Sequence, residues 1–234
     1  MKILALDSSA ISASAAILDG ERLVGEFFTN TKQTHSQTLM PMVQQLLACT
    51  QTKPQDIDVF AVSAGPGSFT GVRIGIACIK GMAFALGKPC IGISALEAMA
   101  YPLAMLSGFI CGVMDARCGQ VYHGLFRVNG AGVQRVGEDC AIAADDLAQI
   151  LQQYTEPIYL AGDGAKLCAQ LPGFAEAQLA PEHLLHQRAV GVAQCAAAKL
   201  KQGAPTVTAE ELTPVYLRLP QAERELKQKL EGTV

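Results

Sequence analysis

The run Gly65-Pro66-Gly67-Ser68-Phe69-Thr70-Gly71-Val72-Arg73-Ile74-Gly75 limits what this chain can fold into more than any other segment. It follows a short apolar stretch, Val59-Phe60-Ala61-Val62, and opens a long one, Ile74 to Leu86, whose only charge is Lys80. Strand, glycine-rich turn and helix in that order aim backbone N–H groups and a helix N-terminus at an anion, as phosphate-binding loops do. A working nucleotide loop of the Walker type ends in Gly-Lys-Ser/Thr, whereas this one closes on Gly71-Val72-Arg73. The segment has the form of a nucleotide-site element whose helix serves another purpose.

Alternating and apolar runs predict strands at Lys2–Ser8, Ala13–Leu18 and Arg22–Thr29, with Asp19-Gly20 as a hairpin turn. A helix over about His35–Cys49, a strand at Val59–Ser63 and the helix Phe69–Leu86 follow, the last ending at Gly87-Lys88-Pro89. A short strand, Cys90–Ile93, and a helix, Ala95–Leu103, complete the first half. The second half repeats the order. Gly112-Val113-Met114-Asp115-Ala116 echoes Leu4-Ala5-Leu6-Asp7-Ser8, and Ala161-Gly162-Asp163-Gly164 echoes the first glycine turn. Strands at Gln120–Val128 and Gly132–Ala141, a helix at Ala144–Gln153 and a strand at Ile158–Leu160 fill it in. The pattern predicts an α/β fold from a duplicated βββαβα unit of about 100 residues. Its lobes would span 1–105 and 106–220. A long helix, Pro181–Gln202, lies near the end of the second, and a charged tail, 221–234, follows it.

With 50% hydrophobic and 17% charged residues in 234, the chain can fill a sizeable core. A net charge of -3 gives no overall electrostatic footprint for nucleic acid. The 8 cysteines form no Cys-x-x-Cys pair and sit mostly in apolar runs, which suits a reducing cytoplasm. Phe69–Leu86 approaches membrane-span length, but Arg73 and Lys80 interrupt it, so a buried or interface helix is expected rather than a membrane contact.

Asp7 and Asp115 end matching strands and could hold a cation near phosphates; a strand-end Asp that caps its own turn is the simpler reading. A vestigial nucleotide site would draw on Asp7, Gly65, Gly67, Ser68, Gly162 and Gly164. Ser68 is expected to cap the helix that follows it. His35 has Leu39 at i+4, so one helix face offers a single imidazole, a poor metal site. No Gly-x-Ser-x-Gly elbow is present, and no catalytic residue is assigned. The glycines of Phe69–Leu86 each cost about 1 kcal/mol against alanine inside a helix, which asks for a compensating close approach. Small residues at 77, 81 and 85 form an i, i+4 stripe, and apolar residues surround it. The first helix carries apolar residues beyond one face as well. A docking surface is therefore expected from Leu39, Met42, Val43, Leu46, Gly71, Arg73, Ile74, Gly75, Ala77, Cys78, Gly81 and Met82, against the alternative that the two helices pack only on their own chain. Alone, such a chain is expected to form a two-fold dimer through 35–49 and 69–86.

GPGSFTGVRIG resembles the signature of the TsaB (YeaZ) family, which is related to TsaD and was once described as glycoprotease-like. Ile3-Leu4-Ala5-Leu6-Asp7-Ser8-Ser9 looks like that family's first strand, His35-Ser36-Gln37-Thr38-Leu39-Met40-Pro41-Met42 its first helix, and Pro214-Val215-Tyr216-Leu217-Arg218 its C-terminal motif. The resemblance implies an actin/Hsp70-like two-lobed fold. It also implies a non-catalytic partner of a TsaD-like transferase that makes N6-threonylcarbamoyladenosine next to the tRNA anticodon. A TsaE-like ATPase would act on the pair, and ATP and metal would reside on those partners with no cofactor on this chain. Contact with tRNA would occur only within the complex. TsaD relatives bind metal through His-x-x-x-His on the equivalent helix, a pattern broken here at Leu39. The rival expectations are an ATP-binding or ATP-hydrolysing enzyme of the same fold and, on the old glycoprotease label, a metallopeptidase.

Overall fold

The computed structural model describes residues 1–218 apart from Lys32 and Ala131; the expected tail at 221–234 lies outside the described residues. Two five-stranded sheets carry the same strand order. In the first, β1 (Lys2–Asp7), β2 (Ala13–Asp19) and β3 (Arg22–Thr29) form an antiparallel meander. β4 (Val59–Gly65) and β5 (Cys90–Ser94) then add in parallel on the far side of β1. The second sheet repeats this with β6 (Ser107–Arg117), β7 (Gln120–Asn129), β8 (Val133–Ala143), β9 (Ile158–Ala161) and a two-residue β10 (Gln178–Leu179). Helices α1 (His35–Thr50) and α2 (Phe69–Leu86) cover one face of the first sheet, and α4 (Ala144–Leu151) and the short α5 (Ala165–Cys168) occupy the matching positions in the second. The arrangement is a duplicated, two-lobed α/β fold.

The remaining helices are exchanged. α3 (Ala95–Ala100) follows the first sheet but packs on β6 and β7, while α6 (Ala189–Lys201) follows the second sheet and packs on β1, β2 and β4. A division at residue 105 therefore describes the strands and not the helices. Strand alternation gives the first sheet two apolar faces. Leu4 and Leu6 point toward α1 and α2, Ile3 and Ala5 toward α6.

The expected helix over Pro181–Gln202 is shorter, beginning at Ala189. Arg188 is extended, its guanidinium paired with Glu26 of β3 at 2.5 Å, and the first helical N–H groups are taken by Ser14 and Glu26. The helix start is set by caps from the other end of the chain, and residues 182–184 make only a 3₁₀ turn. A second cross-lobe cluster joins Glu97 of α3 to Arg135 of β8 at 2.7 Å and Lys199 of α6 at 3.1 Å. Burial alone would raise the Glu97 carboxyl; its two cations outweigh that and hold it below the usual range.

After α6 the chain returns along the first lobe as a strap. Val207 bridges Cys90 at the sheet edge, Ala209 and Leu212 are buried, Val215 N–H donates to Ala64 O at 2.8 Å, and Arg218 donates to Ala116 O at 2.6 Å. Both charges of α2 serve this strap. Lys80 reaches the carbonyls of Glu210 and Leu212, and Arg73 donates to the Tyr216 hydroxyl at 2.7 Å.

Candidate functional site: the glycine loop, the cleft and the outer face of α2

The glycine loop is filled by its own protein. Gly65 and Gly67 have φ of 120° and 155°, and a Cβ there would lie 2.4 Å from Val215 O and 2.3 Å from Ser9 O. Ser68 N–H donates to Ser9 O at 2.7 Å, and the Ser68 hydroxyl caps α2 by accepting from Gly71 N–H. A Cβ on Gly71 would lie 2.1 Å from Ser8 O, and one on Gly75 2.6 Å from Ser8 Oγ. The glycines thus let α2 lie against the end of β1 and the strap against the loop. The second lobe repeats the device: Gly164 N–H donates to Val113 O, and a Cβ on Gly162 would meet the same carbonyl at 2.1 Å.

Asp7 is 1% exposed. Its Oδ1 accepts from the N–H and hydroxyl of Ser9 at 2.9 and 2.7 Å, and Oδ2 has no partner among the described residues. Burial pushes its carboxyl from 3.8 up to about 6, against the hydrogen bonds from Ser9. The side chain caps its own turn, and of the expected nucleotide set Gly67 and Ser68 border the cleft between the lobes, whereas Asp7, Gly65, Gly162 and Gly164 do not. Because the folded state holds this proton more tightly than the unfolded chain, the stability that Asp7 contributes is fully present below pH 3.8 and is lost as pH rises to about 6. The span corresponds to about 3 kcal/mol. Asp7→Asn keeps an acceptor for Ser9 without burying a charge. In urea melts its advantage over the parent is expected to grow between pH 4 and 7; a constant difference would show that Asp7 is not the titrating group.

His35 is half-buried, and its Nε2 donates to Ala10 O at 2.7 Å, leaving Nδ1 without a partner among the described residues. Leu39 beneath it is fully buried. Among the described residues no three His, Cys, Asp or Glu side chains converge to hold a metal.

Between the lobes lies an open cleft of about 430 Å³, bordered by Gly67, Ser68, Asp115, Asp163, Tyr216 and Arg218. Asp115 accepts from Arg117 N–H at 2.7 Å, the counterpart of the Asp7–Ser9 turn. Burial raises the Asp163 carboxyl, against a hydrogen bond from Gln187 at 2.8 Å. At the mouth, Phe69 and Tyr216 stack at 5.0 Å, with Arg73 over the Phe69 ring at 4.0 Å.

The expected docking surface divides in two. Leu39, Met42, Val43 and Leu46 are 0–7% exposed and fill the core beneath the first sheet; Gly71 and Gly75 face Ser8. None of these six is presented to a partner. The spacing of the α1 residues at i, i+3, i+4 and i+7 is a single inward stripe. On α2, Ala77, Gly81 and Ala85 are exposed, and Arg73 borders them. Ile74, Cys78 and Met82 are half-buried, packed against the core at the edge of this face. Gly81 has nothing within 4 Å of a built Cβ, and Phe84, which is outside the expected docking set, is 70% exposed. With 18 residues and a mean hydropathy of 1.5, α2 is long and apolar enough to cross a membrane by length and composition, yet one of its faces packs on the sheet and 33% of the helix is buried.

A family model described as TsaD, tRNA N6-adenosine threonylcarbamoyltransferase, matches residues 23–226. The tRNA threonylcarbamoyladenosine biosynthesis protein TsaB of Escherichia coli is 31% identical over 221 residues, 93% of this chain and 95% of that one. The chain belongs to the TsaB family. Its TsaB relative from Bacillus subtilis is 34% identical over 73% of this chain and 75% of its own length. The solved structure of YeaZ from Pseudomonas aeruginosa superposes with a TM-score of 0.81 at 28% identity, covering 92% of this chain and 99% of that one. The glycine-rich run thus packs the loop onto Ser8, Ser9 and Val215, and residues 214–218 belong to the strap that closes it.

Proposed function

We propose that this TsaB-family chain is a non-catalytic partner of a TsaD-type transferase in the synthesis of N6-threonylcarbamoyladenosine on tRNA. The observation that carries the reading is the outer face of α2, where an apolar helix leaves Ala77, Gly81, Phe84 and Ala85 uncovered. Stripes of small side chains let a second helix approach closely, and an exposed apolar face of this kind marks an interaction surface. The absence of chemistry in the chain itself is supported by the Ser68 N–H bound to Ser9, by Asp7 turned into its own turn and by His35 bound to Ala10. ATP and metal then belong to the partners, a TsaE-type ATPase acts on the assembled pair, tRNA is met in that complex, and the chain works in the cytoplasm. Without its partner the same face pairs with a second copy.

The test is reconstitution by omission. With TsaD-type and TsaE-type subunits, tRNA, ATP and threonylcarbamoyl-adenylate present, modification is expected only when this chain is added, while the chain alone turns over no ATP. Modification at full rate without it, or stoichiometric ATP turnover by the chain alone, would contradict the proposal.

A further inference from the structure

Apart from Arg22 on β3, the described arginines fall into two groups. Arg127, Arg135 and Arg188 pair with carboxylates on the flanks of the molecule. Arg73, Arg117 and Arg218 do not, among the described residues, and these three are joined in one ridge along the mouth of the cleft. Arg73 lies over Phe69, Phe69 stacks on Tyr216, and Arg218, two residues on, donates to Ala116 O beside Arg117. The ridge crosses from one lobe to the other. Arg117 is exposed, and among the described residues no side-chain partner holds its guanidinium. Arg218 commits Nη1 and Arg73 commits Nε, so each keeps donors unused. Tyr216 is 41% exposed, with Phe69 stacked on one side of its ring.

We propose that this ridge binds single-stranded RNA, with a base stacked on Tyr216 and backbone phosphates on Arg73, Arg117 and Arg218. Guanidinium groups with free donors match phosphate oxygens, and exposed aromatic rings take bases without regard to sequence. Asp115 and Asp163 border the same cleft and repel phosphate from its depth, so the strand runs across the mouth rather than into it. The stacked rings favour RNA over an acidic peptide, which needs the cations alone. Arg73 lies four residues before Ala77 on the exposed side of α2, so the RNA track borders the proposed docking face. The inference rests on the tRNA reading above and assigns this chain's own residues to the nucleic acid.

The experiment titrates a fluorescently labelled tRNA anticodon stem–loop with the full chain alone and with its complex with a TsaD-type subunit, at several salt concentrations. Combining Arg117→Gln with Arg218→Gln is expected to weaken binding at least tenfold and to flatten the log–log salt slope by about 0.7 for each arginine removed. Arg22→Gln, at an arginine of β3 that has no ion pair among the described residues, is the control and is expected to change nothing. Tyr216→Phe keeps the ring and is expected to bind like the parent, whereas Tyr216→Leu is expected to bind several-fold more weakly; thermal melts show whether each variant is folded. Partner binding by sedimentation separates the two readings. If the complex forms and RNA binds equally with or without Arg117 and Arg218, or does not bind at all, the ridge assignment is wrong and the partner function stands. If no complex forms, the partner function fails, and the titration of the chain alone still decides the ridge. If polyglutamate binds through the same arginines while RNA does not, the ligand is an acidic protein segment and the RNA assignment is overturned.

Discussion

Ala77→Arg is expected to leave the fold intact and to weaken binding to a TsaD-type subunit by at least about a hundredfold. Ala77 is exposed in the middle of the α2 stripe, so the free chain accommodates the longer side chain in solvent. In a helix–helix contact the same side chain adds volume where two backbones meet and strands a charge in an apolar seam. Gly81→Leu makes the companion case. Nothing lies within 4 Å of a Cβ at that position, and replacing an exposed helical glycine recovers up to about 1 kcal/mol of helix propensity. This variant is therefore expected to melt at or above the parent's temperature while losing the partner and, with it, tRNA modification. Stability and binding move in opposite directions, which separates a docking surface from a structural position. Circular dichroism melts with sedimentation of the mixture read both quantities. Normal binding by both folded variants would remove α2 from the interface.

Gly71→Ala is expected to do the reverse, costing about 3 kcal/mol or more and lowering the folded yield before any partner is added. Alanine gains about 1 kcal/mol over glycine inside a helix, but here its Cβ would sit 2.1 Å from Ser8 O, a backbone atom with no room to give. The clash outweighs the propensity gain, because relieving it means lifting α2 off β1 and breaking the Ser8 Oγ–Gly71 O hydrogen bond of 2.9 Å. Urea denaturation of the two glycine variants side by side checks the sign: Gly71→Ala destabilised, Gly81→Leu not. A Gly71→Ala protein as stable as the parent would mean that the loop glycines are free for a ligand after all.

That contrast also shows what was legible in the sequence. Strands β1 to β5 follow from their apolar alternation and turn residues, and Phe69–Leu86 from its cap at Ser68 and its stop at Gly87. The error at Gly75 was one of phase. At about 100° per residue, Gly75 and Gly81 lie about 120° apart around the axis, so one stripe could not hold both, whereas 77, 81 and 85 follow each other by about 40°. Likewise Leu39, Met42, Val43 and Leu46 are the inward stripe of α1, and the surplus apolar residues Met40 and Leu47 are only half-buried. What could not be read locally depends on contacts between distant residues. The start of α6 is fixed by Ser14 and Glu26, more than 160 positions away in sequence for each bond. The seal over the glycine loop comes from Val215, and the two-residue β10 has no periodicity of its own to announce it. The cleft-mouth ridge is assembled the same way, from Phe69 and Arg73 of the glycine-rich run, Tyr216 and Arg218 near the end of the described chain, and Arg117 between them in sequence.

Amide hydrogen exchange, followed by mass spectrometry as the chain is mixed with a TsaD-type subunit, tests most directly whether α2 is the docking face. The account predicts that added protection concentrates on peptides covering residues 73–86, with the buried strands β1 and β4 unchanged because they are already protected. Binding that protects other surfaces while exchange across α2 stays the same would contradict it.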